Sequence, residues 1–88
     1  MLNQQEVSMK IYDAVVKRIL ELCEQRSLTP NGLSYASGIS QSTIKSILNG
    51  ESTNPGIVTI KIIADGFDIT ISEFFDTDYF RSLEQELE

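Results

Sequence analysis

The chain has 88 residues, a net charge of −6, one cysteine and no histidine, which leaves room for a single hydrophobic core and excludes several chemistries. Without histidine, neither a Ser-His-Asp triad nor a histidine-containing zinc site can be assembled, and Cys23 has no partner for an intramolecular disulfide. No apolar run approaches the roughly 18 residues of a membrane span, and the polar opening lacks the apolar centre of a secretion signal. The expectation is a cytoplasmic, non-enzymatic domain away from membranes, with a 41% hydrophobic fraction suited to a packed interior.

The first predicted helix covers about residues 8–25. Ile11, Val15, Ile19, Leu22 and Cys23 recur at helical spacing and give one apolar stripe, with Cys23 as a small core residue. Asp13, Lys17 and Glu21 alternate in charge four residues apart on the exposed side. Asn3 and Ser8 are the two candidate caps. A second, short helix opens at Thr29-Pro30, a good cap followed by the residue best suited to a first helical position, and ends near Ser37-Gly38. Gly32 inside it calls for close backbone packing, and Tyr35 is placed to pack on the first helix.

Ser40 caps a third helix over residues 41–49 that stops at Gly50, with Ile44, Ile47 and Leu48 inward and Gln41, Ser42, Lys45, Ser46 and Asn49 outward. After a loop at 51–56 comes a fourth helix from Ile57 to about Gly66, with Ile60, Ile63 and Ala64 inward. Thr70 and Glu73 form a capping box before Phe74 and Phe75, marking a short fifth helix. Residues 78–88 carry Phe80, Leu83 and Leu87 on one stripe. They read either as a sixth helix or as a tail, and the stripe either as a dimer interface or as a cover for the chain's own core. The fold class is all-α, in about five short helices. The division is a tail at 1–7, a domain at 8–76 and an acidic segment at 77–88.

Charge is unevenly spread. Residues 25–50 contain no acid but include Arg26 and Lys45, whereas residues 62–88 hold eight acids against Arg81 alone. An acidic tail can coexist with a neutral-to-basic head, because exposed charges more than about 8 Å apart are largely screened at physiological salt. The head lies between Thr29 and Gly50. Two short helices joined by Gly38-Ile39-Ser40 must cross sharply, and the second presents its N-terminus outward. Gln41 can bond adenine N6 and N7, Ser42 adapts to several base edges, and Lys45 reaches guanine or a phosphate. Each has a bland counterpart: Thr29 and Ser40 cap helices regardless, Asn49 terminates one, and Lys45 can be a solvated lysine.

The run from Arg18-Ile19 through Leu28-Thr29, Leu33-Ser34, Gly38-Ile39-Ser40-Gln41-Ser42-Thr43-Ile44 and Ile47-Leu48-Asn49-Gly50 to Phe74-Phe75 resembles the lambda-repressor-like, or XRE/Cro-type, helix-turn-helix proteins. The resemblance implies that these helices form a compact bundle, that Gln41 and Ser42 read bases, that Lys45 meets a base or a phosphate, and that Thr29, Thr43 and Asn49 contact the DNA backbone. Ser40, as the cap, belongs to the same set, and Ser52, Thr53 and Asn54 follow the phosphates. Two departures stand out: Pro30 replaces a common phosphate-clamping Gln, and Ser34 replaces a usual Ala. The first, with few basic residues, implies weak non-specific binding. The expected partner is double-stranded DNA, bound as a homodimer by a transcriptional repressor without cofactor, metal or small-molecule ligand. The rival reading is an acidic protein-interaction module on the same fold, antitoxin-like or an accessory subunit.

Overall fold

A computed structural model describes residues 9–86. The helices are α1 (Ile11–Gln25), α2 (Pro30–Ser37), α3 (Gln41–Leu48), α4 (Ile57–Gly66), α5 (Ile71–Phe74) and α6 (Asp78–Arg81); among the described residues there is no strand and no helix long and apolar enough to cross a membrane.

The start of α1 differs from expectation. Lys10 is the N-cap residue, and its N–H donates to Asp13 Oδ2 at 3.1 Å; Asn3 and Ser8 lie outside the described residues. Ala14, Val15, Ile19, Leu22 and Cys23 are buried, but Ile11, at the open end of the stripe, is exposed. The helix exits through Ser27 in the left-handed region (φ 55°), with Leu28 N–H bonding back to Cys23 O at 2.8 Å. Burial pushes the Cys23 thiol up from its ordinary pKa.

Around α2 and α3 the caps follow residue type. Thr29 Oγ1 accepts from Gly32 N–H at 3.0 Å, and Gly38 closes α2 at φ 81°. A Cβ on Gly32 would meet the Leu28 and Thr29 side chains, so Gly32 is not where two backbones converge. That place is Gly66: a Cβ there would lie 2.9 Å from Ser37 Cβ and 3.1 Å from Ser37 Cα, so only glycine lets α4 close on the end of α2. Tyr35 does not pack on α1; it is 94% exposed. Leu33, Ile44, Ile47, Ile63, Phe67 and Phe74 join Ile19 in the fully buried centre, and no polar side chain among the described residues is buried.

Thr70 and Glu73 form the reciprocal box expected at α5, the Thr70 N–H donating to the carboxylate at 2.8 Å. The last segment is helical for four residues only, and from Leu83 to Glu86 it has no regular structure. Of its stripe, Phe80 turns inward. Phe80 packs against the core, its ring 4.9 Å from that of Phe75, and Leu83 is half-buried; Leu87 is outside the described residues. Tyr79 latches α6 to α1: its hydroxyl donates to Glu21 Oε1 at 2.6 Å and Lys17 Nζ sits 5.1 Å from its ring centre. Burial first, and then the Glu21 acceptor and its negative charge, push the Tyr79 phenol up to about 12.

Candidate nucleic-acid interface

The corner between α2 and α3 is held by hydroxyls and main chain. Gly38 N–H donates to Ser34 O at 2.9 Å, the Ser34 hydroxyl donates to Ile39 O, and Ile39 N–H donates to Ser37 Oγ at 3.2 Å. Ser34 therefore does more than fit where a smaller residue would: it satisfies a carbonyl of the turn. Ile39, at the middle of the corner, packs against the core. Ser40 Oγ accepts from Thr43 N–H at 3.2 Å and donates to Thr43 Oγ1 at 3.0 Å. Ser40 thus spends its own hydrogen internally, whereas Thr43 keeps its hydroxyl hydrogen for an outside acceptor.

The far end of α3 is tied from behind. Tyr12 hydroxyl donates to Ile47 O at 2.8 Å, supplying a partner to one of the carbonyls that every helix end leaves without one. The sequence reading missed Tyr12. A signal was there: Tyr12, Val16, Ile19 and Cys23 recur at steps of four, three and four, which places Tyr12 on the inward stripe. Ser46 O accepts from Glu51 N–H and Ser52 N–H, and the Ser46 hydroxyl donates to Glu51 Oε1 at 3.2 Å. Ser46, expected on the outward face, is therefore engaged with the following loop.

With both ends fixed, Gln41, Ser42, Thr43, Lys45 and Asn49 are exposed. Gln41, Ser42, Lys45 and Asn49 border a groove of about 730 Å³ whose floor is Ile44 and Leu48 and whose opposite edge is Pro30 and Asn31 of α2. Asn31 was not singled out from sequence, because only the crossing of α2 over α3 brings it to this edge. Thr29 is exposed just before it, its hydroxyl oxygen engaged as the cap. The loop residues are placed differently. Ser52 is half-buried, and Thr53 and Asn54 are exposed beside a separate hollow of about 310 Å³ shared with Ile11, Tyr12 and Ile57. The structure therefore gathers the α3 residues but does not join 52–54 to their groove.

Electrostatically the groove depends on Lys45. Arg26, counted above as part of the basic head, donates from Nε to Phe67 O at 2.9 Å and lies beside the Phe67 ring. Arg18 donates to Phe74 O and Glu73 O at 2.7 and 2.8 Å. Lys10 pairs with Glu86, Lys61 with Asp65, and Arg81 with Asp76 and Asp78, while Lys17 covers Tyr79. Among the described residues, Lys45 alone of the seven cations has no such partner. The acids Asp65, Asp68 and Glu73 border a hollow that shares no residue with the α3 groove. No group of side chains suited to holding a metal ion is gathered among the described residues.

Two short helices crossing at a capped corner, the second exposing a polar, uncrowded first turn, define a helix-turn-helix. Residues 18–78 match the model of the Cro/C1-type HTH DNA-binding domain, and the chain belongs to that family. Among solved structures it is similar to prophage Lp1 protein 11, whose crystal structure superposes with a TM-score of 0.73 at 28% identity, covering 84% of this chain and 97% of that one. No curated protein matches.

Proposed function

We propose that the protein is a sequence-specific, cytoplasmic transcriptional repressor that docks α3 in the DNA major groove. In this reading Gln41 and Ser42 bond base edges, Lys45 meets a guanine or a phosphate, and Thr29, Thr43 and Asn49 position the backbone, joined by Asn31. Ser40 acts through the helix start that it caps, and residues 52–54 approach the flanking phosphates. Repression then needs nothing more than occupancy of the operator. A single domain of this size covers roughly 600–1,000 Å², so a homodimer on a palindromic site supplies the remaining specificity.

The observation that carries the reading is Lys45: the one cation without a partner among the described residues stands on the acid-free face where this family meets DNA. The acids elsewhere, notably around Asp65, Asp68 and Glu73, favour the second reading, an acidic surface that binds a protein. Selection from random duplexes with the whole chain separates the two. A repressor enriches one palindromic motif and binds it less tightly as salt rises; Gln41→Ala then relaxes the preference at one base position by about 1–3 kcal/mol. If no duplex is enriched, the DNA reading fails.

A further inference from the structure

Helix α4 presents a face that the monomer does not use. Ile60, Ile63 and Ala64 are buried, while Ile57, Val58 and Ile62 remain 66%, 68% and 36% exposed, with Lys61 and Asp65 exposed between them. Branched side chains restrict their own rotamers in a helix and are weaker helix formers than Lys, Glu or Ala. In water they also gain nothing from burial. Folding of one chain therefore gives no reason for Ile57, Val58 and Ile62 at these positions. Lys61 pairs with Asp65 along the same face, so the patch is electrically neutral on a molecule whose net charge of −6 sets copies against each other elsewhere.

We infer that this face receives a second copy of the chain, α4 lying antiparallel on the partner's α4 across a two-fold axis. The inference rests on the homodimer in the reading above and names its contact. A two-fold interface must complement itself. Reversing the helix direction sets Lys61 against the partner's Asp65 and Asp65 against the partner's Lys61. The same reversal brings Ile62 to the partner's Ile62 near the axis, with Val58 alongside. A parallel arrangement would instead oppose lysine to lysine. Phe80, the first residue of the C-terminal stripe, is unavailable for this role because it packs against the chain's own core.

Three apolar side chains and one ion pair make a patch smaller than the roughly 800 Å² per partner of a standard interface. The free dimer is therefore weak, with a Kd of about 0.1–1 mM, and operator binding completes it. The test uses the full chain without DNA: sedimentation equilibrium and NMR shift titration up to about 1 mM. The expected result is a monomer–dimer equilibrium with concentration-dependent shifts centred on Val58, Lys61 and Ile62. Val58→Asp abolishes it. Lys61→Asp weakens it about tenfold, and Lys61→Asp with Asp65→Lys restores it to within about threefold, the native circular dichroism of each variant showing that the fold is kept. The proposal is overturned by a strict monomer at the highest concentration, by shifts that map to another face, or by a charge-swapped variant no better than Lys61→Asp alone. Failure to find any bound duplex overturns the DNA reading and leaves this result unaffected.

Discussion

Replacing Lys45 with Met isolates one electrostatic contribution. The side chain is exposed and makes no ion pair or hydrogen bond with a described residue, so fold stability should stay within about ±0.5 kcal/mol of the wild type. On DNA the loss is specific. Each phosphate neutralised contributes about 0.9 to the slope of log K against log salt, so the variant's slope should be shallower by about 0.9 for each protomer bound. A fourfold rise in salt should then weaken wild-type binding about 3.5-fold more per protomer than it weakens the variant. Fluorescence anisotropy on the selected operator between about 50 and 200 mM salt reads this directly. Arg81→Met, which removes a cation already paired with Asp76 and Asp78, is the control and should leave the slope unchanged. If Lys45→Met leaves both the salt slope and the base preference at wild-type values, the groove described here is not the docking surface.

Tyr12→Phe removes the donor to Ile47 O in a half-buried setting; it should cost about 1–2 kcal/mol, lower Tm by roughly 4–8 °C per kcal/mol and speed amide exchange at the end of α3. Gly66→Ala adds a methyl against the Ser37 backbone, an overpacking cost of about 1–3 kcal/mol that exceeds the ~1 kcal/mol gained in helix propensity; thermal melts should show net destabilisation. The Tyr79 phenol, at about 12 when folded against an ordinary 10.0, favours the fold only while neutral. Its contribution is complete below pH 10.0 and is lost as pH rises from there to about 12; Tyr79→Phe should remove that part of the alkaline stability loss and the tyrosinate absorbance appearing near pH 12.

The features legible in the sequence are those that a few neighbouring residues decide. Thr29 with Pro30, Gly38, Ser40, and Thr70 with Glu73 each satisfy backbone groups within one helical turn, so residue type alone fixes α2, α3 and α5 at their starts. The outward set Gln41, Ser42, Lys45 and Asn49 follows from helical period once Ile44 and Ile47 are assigned inward. Long-range contacts were not legible in this way. Arg26 bonds Phe67 O and Tyr12 bonds Ile47 O across separations of 41 and 35 residues, and neither partner can be inferred from local pattern. The same holds for Asn31, which reaches the groove only through the crossing, and for Tyr35, whose burial depended on where α1 lay. Residues 52–54 were assigned by resemblance, and their actual placement depends on how the loop bonds Ser46.

The corner that aims α3 contains no ion pair: serine hydroxyls, a left-handed glycine and one apolar anchor at Ile39 hold it. Ionic strength and moderate pH changes should therefore leave the pitch of the reading head untouched. On the proposed function, a cell that shifts its salt would alter how long the protein lingers on DNA without altering which letters it reads there.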